Sequence, residues 1–139
     1  MAILKVDGVT KSFQGSKIIE HVSLELREGE LVSLLGVSGG GKTTLFNIIA
    51  GLSQPEEGKV FLDGLDITGK PGQISYMLQK DLLLPYRTVE DNVALPLLIR
   101  GIKKSEARRQ ASQYFEKFGL EGTQKKYPSQ LSGGMKQRA

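Results

Sequence analysis

Gly36–Thr43 constrains the fold more than any other stretch, because it has the pattern G-x-x-x-x-G-K-T. The near-continuous apolar run Leu31–Leu35 precedes it, which is typical of a parallel strand covered on both faces. The residues Leu45–Ala50 follow it and predict a helix that Gly51 stops. The order of strand, glycine-rich loop and helix is therefore typical of an α/β fold.

The same loop predicts a binding site for phosphate. Glycines let the backbone curl so that successive N–H groups point inward, and the next helix adds its free N-terminal donors. Lys42 then reaches the β- and γ-phosphates of a nucleotide, and the Thr43 hydroxyl is placed to bind Mg²⁺. ATPases, GTPases and small-molecule kinases all use this device, so the loop alone leaves the reaction open.

Short β-rich runs surround the loop on both sides. Ile3–Val6 and Ile18–Leu26 predict two strands, and the turn residues Gln14–Ser16 between them predict a hairpin. Lys59–Leu62 predicts a further strand, and Ile74–Leu78 another that ends at Gln79. The part of the chain before residue 80 is therefore expected to be rich in strands.

After Gln79 the pattern becomes helical. Thr88 and Asp91 resemble a capping box that opens one helix, and Pro96 should interrupt it. Ser105 is expected to cap the next helix, which Gly119 should end. Apolar residues of that helix share one face at helical spacing: Ala107, Ala111, Tyr114, Phe115 and Phe118.

Composition excludes several kinds of site. The chain has no cysteine and one histidine, His21, which excludes disulfides, thiolate metal sites and multi-histidine metal sites. Its longest apolar stretch, Val93–Ile99, contains a proline and is much shorter than the roughly 20 residues of a membrane-spanning helix. We expect His21 to be an ordinary surface or strand residue.

Charge is spread unevenly along the chain. Residues 100–139 hold ten Lys or Arg and three acidic residues, while the whole chain carries +4. Such a basic region fits nucleic acid, anionic lipid or simply a solvated helix face. We favour the solvated face, because aromatic residues are not interleaved with the bases as a stacking surface for nucleic acid requires.

A second glycine motif, Leu131–Arg138, reads Leu-Ser-Gly-Gly-Met-Lys-Gln-Arg. Taken alone, its Ser-Gly-Gly is equally consistent with an ordinary helix N-cap. Downstream of the phosphate loop, it closely resembles the signature motif of ABC ATPases, and the resemblance covers the whole chain. This motif disfavours a P-loop kinase or a GTPase.

The resemblance implies an α/β P-loop NTPase core with N-terminal antiparallel β strands and a C-terminal helical subdomain, truncated before the Walker B strand. Residues 1–85 would form the incomplete nucleotide-binding core and β subdomain. Residues 86–139 would form the ABC α-helical subdomain, which ends at the signature motif.

The resemblance also assigns the site, with ATP and Mg²⁺ as cofactors. Phe13 stands where the family places an aromatic that stacks on adenine, and Gln79 matches the glutamine that contacts Mg²⁺ and the attacking water. Lys42 and Gln79 would be catalytic, and Thr43 and Gln79 would bind the metal. The implied nucleotide contacts are Phe13, Gly36, Ser38, Gly39, Gly40, Gly41, Lys42, Thr43, Thr44, Ser132, Gly133 and Gly134.

In the family, two subunits pair head to tail, so that each nucleotide lies between one phosphate loop and the other subunit's signature. The resemblance therefore implies an ATP hydrolase coupled to transport, with a second ABC ATPase subunit, a membrane permease and, indirectly, a substrate-binding protein as partners. It would lie peripherally on the cytoplasmic face of the membrane, with no nucleic acid. The alternatives are a soluble ABC ATPase acting on nucleic acid and a non-hydrolysing nucleotide-binding fragment.

The sequence departs from the family pattern in places. Val37 and Gly40 stand where the family often has proline and a small polar residue, and we expect phosphate binding to survive both changes. The family's metal-supporting aspartate, catalytic glutamate and γ-phosphate-sensing histidine come after the position of Ala139. We therefore expect this stretch of a longer protein to bind nucleotide weakly and to turn it over poorly or not at all.

Leu82–Val93 resembles the corresponding segment of importer subunits for nitrate, sulfonate, taurine or thiamine precursors. Those subunits usually have a tryptophan where this chain has Tyr86. The helical part after Gln79 would hold the groove for the permease. The permease and the binding protein choose the cargo, so the sequence does not name it.

Overall fold

The structure is a computed structural model that describes residues 2–139. It separates into two compact units, of which the first ends at Tyr76 and the second is Met77–Ala139. The predicted domain boundary between residues 85 and 86 stays a prediction.

The first unit begins with a long antiparallel hairpin. Strand β1 is Ala2–Phe13 and strand β2 is Ser16–Arg27, so the predicted hairpin is confirmed with longer strands. Gln14 and Gly15 join them, with φ of 50° and 79°. Positive φ at both central residues is the geometry that matches the right-handed twist of paired strands.

The sheet is completed by two more strands from the same unit. Strand β3, Glu57–Leu62, confirms the strand predicted at 59–62 and pairs antiparallel with β1. A turn at Asp63 and Gly64 leads into the short strand β4, Leu65–Asp66, which was not predicted. The strand order is β2-β1-β3-β4, and every pairing is antiparallel.

Helix α1, Lys42–Ile49, confirms the predicted helix and begins three residues earlier. It ends before Gly51, whose φ of 75° suits the turn that follows a helix. Its buried residues join the apolar side chains of the sheet in one core. The buried members are Leu4, Val6, Val9, Ile19, Leu45, Ile48, Ile49, Val60 and Ile67.

Two strand predictions were wrong. Neither Leu31–Leu35 nor Ile74–Leu78 is a strand, and Leu31 and Leu35 are each 91% exposed. The apolar runs indicate the propensity for a strand, but a strand also needs a partner for its backbone groups. Within residues 2–139 the four strands pair only with one another, so these two runs remain irregular.

The second unit is helical. Helices α2, Val89–Val93, and α3, Leu95–Ile99, are short and consecutive, and α4, Lys104–Lys117, is the longest. A 3-10 turn at Pro128–Gln130 then leads to helix α5, Gly133–Arg138.

Most of the predicted helix starts and breaks are confirmed. The Thr88 hydroxyl accepts from the Asp91 backbone N–H at 3.3 Å, which caps α2. Pro96 lies in the first turn of α3, so it does separate two helices. Ser105 is not the cap of α4, because the helix begins one residue before it and its N-cap is Lys103, without a side-chain bond.

The apolar face of α4 is narrower than predicted. Ala107, Ala111 and Phe115 are buried, whereas Tyr114 and Phe118 are about half exposed. Phe115 packs in a cluster with Val89 and residues after α4, while the two alanines pack against the side of α3. Gly119, with φ of 64°, follows the helix as expected.

Ion pairs connect α2 to α4 inside the second unit. Arg108 grips Asp91 with two bonds, Nε to Oδ1 at 2.8 Å and Nη2 to Oδ2 at 3.0 Å. Lys104 adds a contact of 3.3 Å to Asp91, and the Asp91 side chain is only 13% exposed. The hydrogen bond from Arg108 is the main cause that holds the pKa of Asp91 below its usual value.

No helix of the described part of the chain has the length and apolarity needed to cross a membrane.

Replacing Asp91 by Asn should lower the free energy of unfolding by about 2 kcal/mol at pH 7, because Arg108 loses its charged partner at a site that is largely shielded from solvent. Since the folded pKa of Asp91 is depressed, its contribution is present above the unfolded pKa of about 3.9 and fades as pH falls below that value. Denaturant unfolding of wild type and Asp91→Asn at pH 7 and near pH 3 measures this.

The matched control is Glu106→Gln, since Arg109 also grips Glu106 with two bonds but on the surface. Surface pairs contribute little, so this variant should unfold almost like wild type. Equal losses in the two variants at pH 7, or an Asp91→Asn loss that does not shrink at low pH, would contradict the interpretation.

Candidate functional site

The predicted phosphate loop lies directly before α1, and Gly41 determines its position relative to β2. Gly41 is the N-cap of α1, with φ of 85°. A Cβ at this position would come within 2.6 Å of Ile19 Cγ2 and 2.9 Å of Ile18 O on β2. Only glycine has both the backbone freedom and the small size for this approach. The loop is therefore pressed against β2.

Inside the loop, Gly40 N–H donates to Val37 O at 3.0 Å, and Gly39 has φ of 80°. A tight turn thus lies over residues 37–40. Gly36, Ser38, Gly39 and Gly40 are all exposed. The departure at Gly40 is compatible with this turn, because its φ lies outside the left-handed region.

Lys42 folds back over the start of the loop. Its Nζ donates to Gly36 O at 2.6 Å and to Val37 O at 2.8 Å. An ammonium group has three protons, so one remains for another acceptor. The side chain is thereby held over the loop, where an incoming phosphate oxygen would meet a positive charge.

The first turn of α1 provides the remaining donors. The backbone N–H groups of Lys42, Thr43 and Thr44 precede the first intrahelical bond, from Leu45 N–H to Gly41 O at 2.9 Å. The positive end of the helix dipole acts in the same place. Thr43 is exposed, so its hydroxyl is open to a metal ion. The chemistry of this loop fits a nucleotide phosphate with Mg²⁺.

Phe13 lies at the last position of β1, paired with Ser16 across the hairpin. It is 53% exposed, so it is not the core aromatic that a buried strand would provide. The Lys11 ammonium lies 5.6 Å from the centre of the ring. Phe13 thus lies on the same hairpin as Ile18 and Ile19, which are next to Gly41 of the phosphate loop.

The other predicted site residues lie in the second unit. Gln79 is exposed, and its backbone O accepts from Gln137 Nε2 at 2.8 Å. This bond links the residue of the predicted glutamine loop to the helix of the second glycine motif.

The second glycine motif forms the start of α5 as predicted. Ser132 is its N-cap, and the hydroxyl accepts from Met135 N–H at 3.3 Å. Ser132, Gly133 and Gly134 are exposed, and Leu131 anchors the motif by packing in the core with Phe115. Backbone donors of a helix start thus face solvent here too.

One feature of the first unit was not predicted. Glu56 binds Ser12, the residue before Phe13, through both carboxylate oxygens. The sequence around it, Pro-Glu-Glu-Gly, indicates only a turn, and no spacing rule connects residue 56 with residue 12.

The comparisons with known proteins agree with this geometry. The sequence model described as ABC transporter matches residues 19–139. The chain belongs to the ABC transporter family. Its membership confirms the family to which the two glycine motifs pointed.

Curated relatives cover nearly the whole chain. An uncharacterized ABC transporter ATP-binding protein of Methanocaldococcus jannaschii is 44% identical over 97% of this chain and 52% of its own length. The formylaminopyrimidine import ATP-binding protein of Halalkalibacterium halodurans is 46% identical over 89% of this chain and 47% of its own. The taurine import ATP-binding protein of Escherichia coli O157:H7 is 41% identical over 98% of this chain and 53% of its own length. The chain therefore spans about half the length of these relatives.

Solved structures confirm the fold class. A dimeric ATP-binding cassette in a post-hydrolysis state, bound to ADP and Pi, superposes with a TM-score of 0.82 at 33% identity. The match covers 97% of this chain and 66% of the cassette. The family's α/β P-loop fold is thus shown, although the strands of this chain pair only antiparallel.

Gly41→Ala should destabilise the first unit by about 3 kcal/mol or more, since the new Cβ meets β2 backbone and the φ is left-handed. Gly39→Ala is the matched control, because Gly39 has φ of 80° but nothing within 4 Å of its missing Cβ. It should cost only about 1 to 2 kcal/mol of backbone strain. Denaturant unfolding compares them, and equal costs would mean that the approach to β2 does not constrain the loop.

Proposed function

We propose that the chain is the nucleotide-binding part of the ATP-binding subunit of an ABC importer. The observation that carries the proposal is the loop at Gly36–Thr43, held against β2 by Gly41 and covered by the Lys42 ammonium. Family membership and the import names of several relatives support it. Those names favour import over the alternative of a soluble ATPase acting on nucleic acid.

In this proposal the loop binds the ATP phosphates. Backbone N–H groups of the first turn of α1 point at the phosphate oxygens, and Lys42 exchanges a backbone carbonyl for the β- and γ-phosphates. Thr43 would hold Mg²⁺, which supplies charge neutralisation between the phosphates when bound. One protein oxygen suffices at such sites, because Mg²⁺ takes most other ligands from water and phosphate.

Phe13 would stack on the adenine ring. More than half of its surface is exposed, and offset stacking on a base is the usual role of such an aromatic next to a phosphate site. The base adds little specificity by hydrogen bonding in this arrangement, so the phosphates supply most of the affinity.

The second glycine motif would act on the nucleotide of a second subunit. Ser132, Gly133 and Gly134 present exposed backbone donors at the start of α5. The dimeric form of the neighbouring cassette supports a head-to-tail pair for this chain. ATP would then stabilise the closed dimer because it contacts both subunits, and its loss would favour opening.

Gln79 would report nucleotide state to a permease and contact Mg²⁺ and the attacking water. The hydrogen bond from Gln137 to the Gln79 backbone supports a signalling role, because a movement of Gln79 would be passed to helix α5 of the second motif. The permease, a substrate-binding protein and a peripheral place on the cytoplasmic face of the membrane complete the proposal. The importers among the relatives support these partners.

Lys42→Ala should weaken ATP binding roughly 10- to 100-fold, the value of one or two charge-assisted hydrogen bonds. Lys70→Ala is the matched control, because Lys70 Nζ also donates to a backbone carbonyl, Asp66 O, at 2.8 Å. Titration calorimetry with MgATP compares the two variants. Similar losses in both would contradict a phosphate role for Lys42.

We also propose that this 139-residue chain by itself binds ATP with little turnover. The residues that the resemblance assigns to catalysis and metal binding, Lys42, Thr43 and Gln79, include no Asp or Glu that could polarise the attacking water, a contribution that typically reaches about 10²- to 10⁴-fold. Phosphate release by the chain should therefore be far slower than by a whole ABC subunit of the same protein. Equal rates per site would overturn this part of the proposal.

A further inference from the structure

Glu56 holds the end of β1 from outside the ladder. Its Oε1 accepts from Ser12 N–H at 3.1 Å, and its Oε2 accepts from the Ser12 hydroxyl at 3.0 Å. The backbone N–H of Glu56 also donates to Thr10 O at 2.9 Å. Three bonds therefore connect residue 56 to residues 10 and 12, and residue 12 directly precedes Phe13.

The strand needs such a restraint at this point. The register between β1 and β2 shifts between Lys11 and Ser12, and the hairpin turn follows two residues later. Strand ends next to a register shift are the places where pairing frays most easily. The carboxylate restrains the strand at this point by accepting from the N–H and the hydroxyl of Ser12.

The Phe13 ring is confined on one side and free on another. The Lys11 ammonium lies over it at 5.6 Å from its centre, while the residue remains 53% exposed. Lys11 and Phe13 flank Ser12, so a restraint on the backbone at Ser12 also limits the movement of the Lys11 and Phe13 side chains, which contact each other. The free surface of the ring is then presented in one direction.

The hairpin brings this ring within nucleotide reach of the phosphate loop. Gly41 touches β2 at Ile18 and Ile19, and Ser16 on β2 is the partner of Phe13. Three residues separate Ile19 from Ser16, which is about 10 Å along a strand. That separation suits the ribose and phosphates between a base and a phosphate loop.

We propose that Glu56 is a positioning residue for base binding: it clamps Ser12 and so holds Phe13 in the orientation that stacks on adenine. The inference rests on the proposed ATP site and adds to it a residue that touches no nucleotide. Its neighbour Glu57 shows the contrast, because the Glu57 carboxylate lies 3.8 Å from His21 Nε2 and does not bond to Ser12.

Titration calorimetry with ATP and with inorganic tripolyphosphate separates base from phosphate binding. Glu56→Ala in the full chain should weaken ATP binding about three- to tenfold, the effect of losing two hydrogen bonds to a charged group at the surface. Tripolyphosphate binding should not change, because it has no base. The matched control Glu57→Ala should leave both affinities at wild-type values.

The absence of tryptophan offers a direct readout of ring orientation. Phe13→Trp creates a single reporter whose emission a stacked adenine should quench. At saturating ATP, adding Glu56→Ala should reduce the quench, since a looser ring stacks for less of the time. Adding Glu57→Ala should not alter it.

The outcomes distinguish the inference from the proposed function. Glu56→Ala with wild-type ATP affinity, or with ATP and tripolyphosphate weakened equally, would overturn the positioning role alone. Phe13→Ala with unchanged ATP binding would overturn adenine stacking, and the inference with it. A Glu56→Ala loss that disappears in the Phe13→Ala background would support the inference, because the two residues then act through one contact.

Discussion

The approach of Gly41 to β2 is the constraint on which the first unit depends. The missing side chain lets the end of the phosphate loop lie against Ile18 and Ile19, where any Cβ would strike backbone. That contact sets where α1 begins, and α1 in turn places Leu45 and Ile48 in the core of the sheet. The phosphate loop predicted from the sequence and the hydrophobic core are therefore built around the same glycine.

The second unit stabilises its own glycine motif by different means. Its core is divided between two small apolar clusters, so directional bonds carry more of the organisation. The buried Asn92 side chain accepts from Leu84 N–H at 2.7 Å, and the two protons of its amide nitrogen are shared among the carbonyl oxygens of Leu84, Arg87 and Thr88, all within 3.2 Å. The segment before α2 thus keeps one conformation although Leu82 and Tyr86 are largely exposed. The hydrogen bonds of Asn92 thus hold this segment although the apolar side chains of Leu82 and Tyr86 are not packed into the core.

Local chemistry predicted much of this arrangement, and long-range pairing explains what it missed. The glycine loop, the helix after it, the hairpin and the Thr88 cap all follow from residues close together in sequence. The strand predictions at 31–35 and 74–78 failed because a strand depends on a partner that the apolar pattern does not specify. The hydrogen bonds between Glu56 and Ser12 were not predicted for the same reason, since they join residues 44 positions apart. The roles of Gln79 and of the second glycine motif stay predictions.

In the proposed site, the hydrogen bonds of Lys42 would make nucleotide binding an exchange reaction. Two of its protons are already bonded to Gly36 O and Val37 O, so only the third is available to a ligand without breaking a bond. An anion that takes up the other two protons would compete with those carbonyls, and its affinity would be the difference between the two sets of bonds. A singly charged anion gains little over a carbonyl, whereas a polyphosphate gains a great deal. In the proposed ATP site, Lys42 would therefore select for the charge of the ligand, apart from any contact with the base.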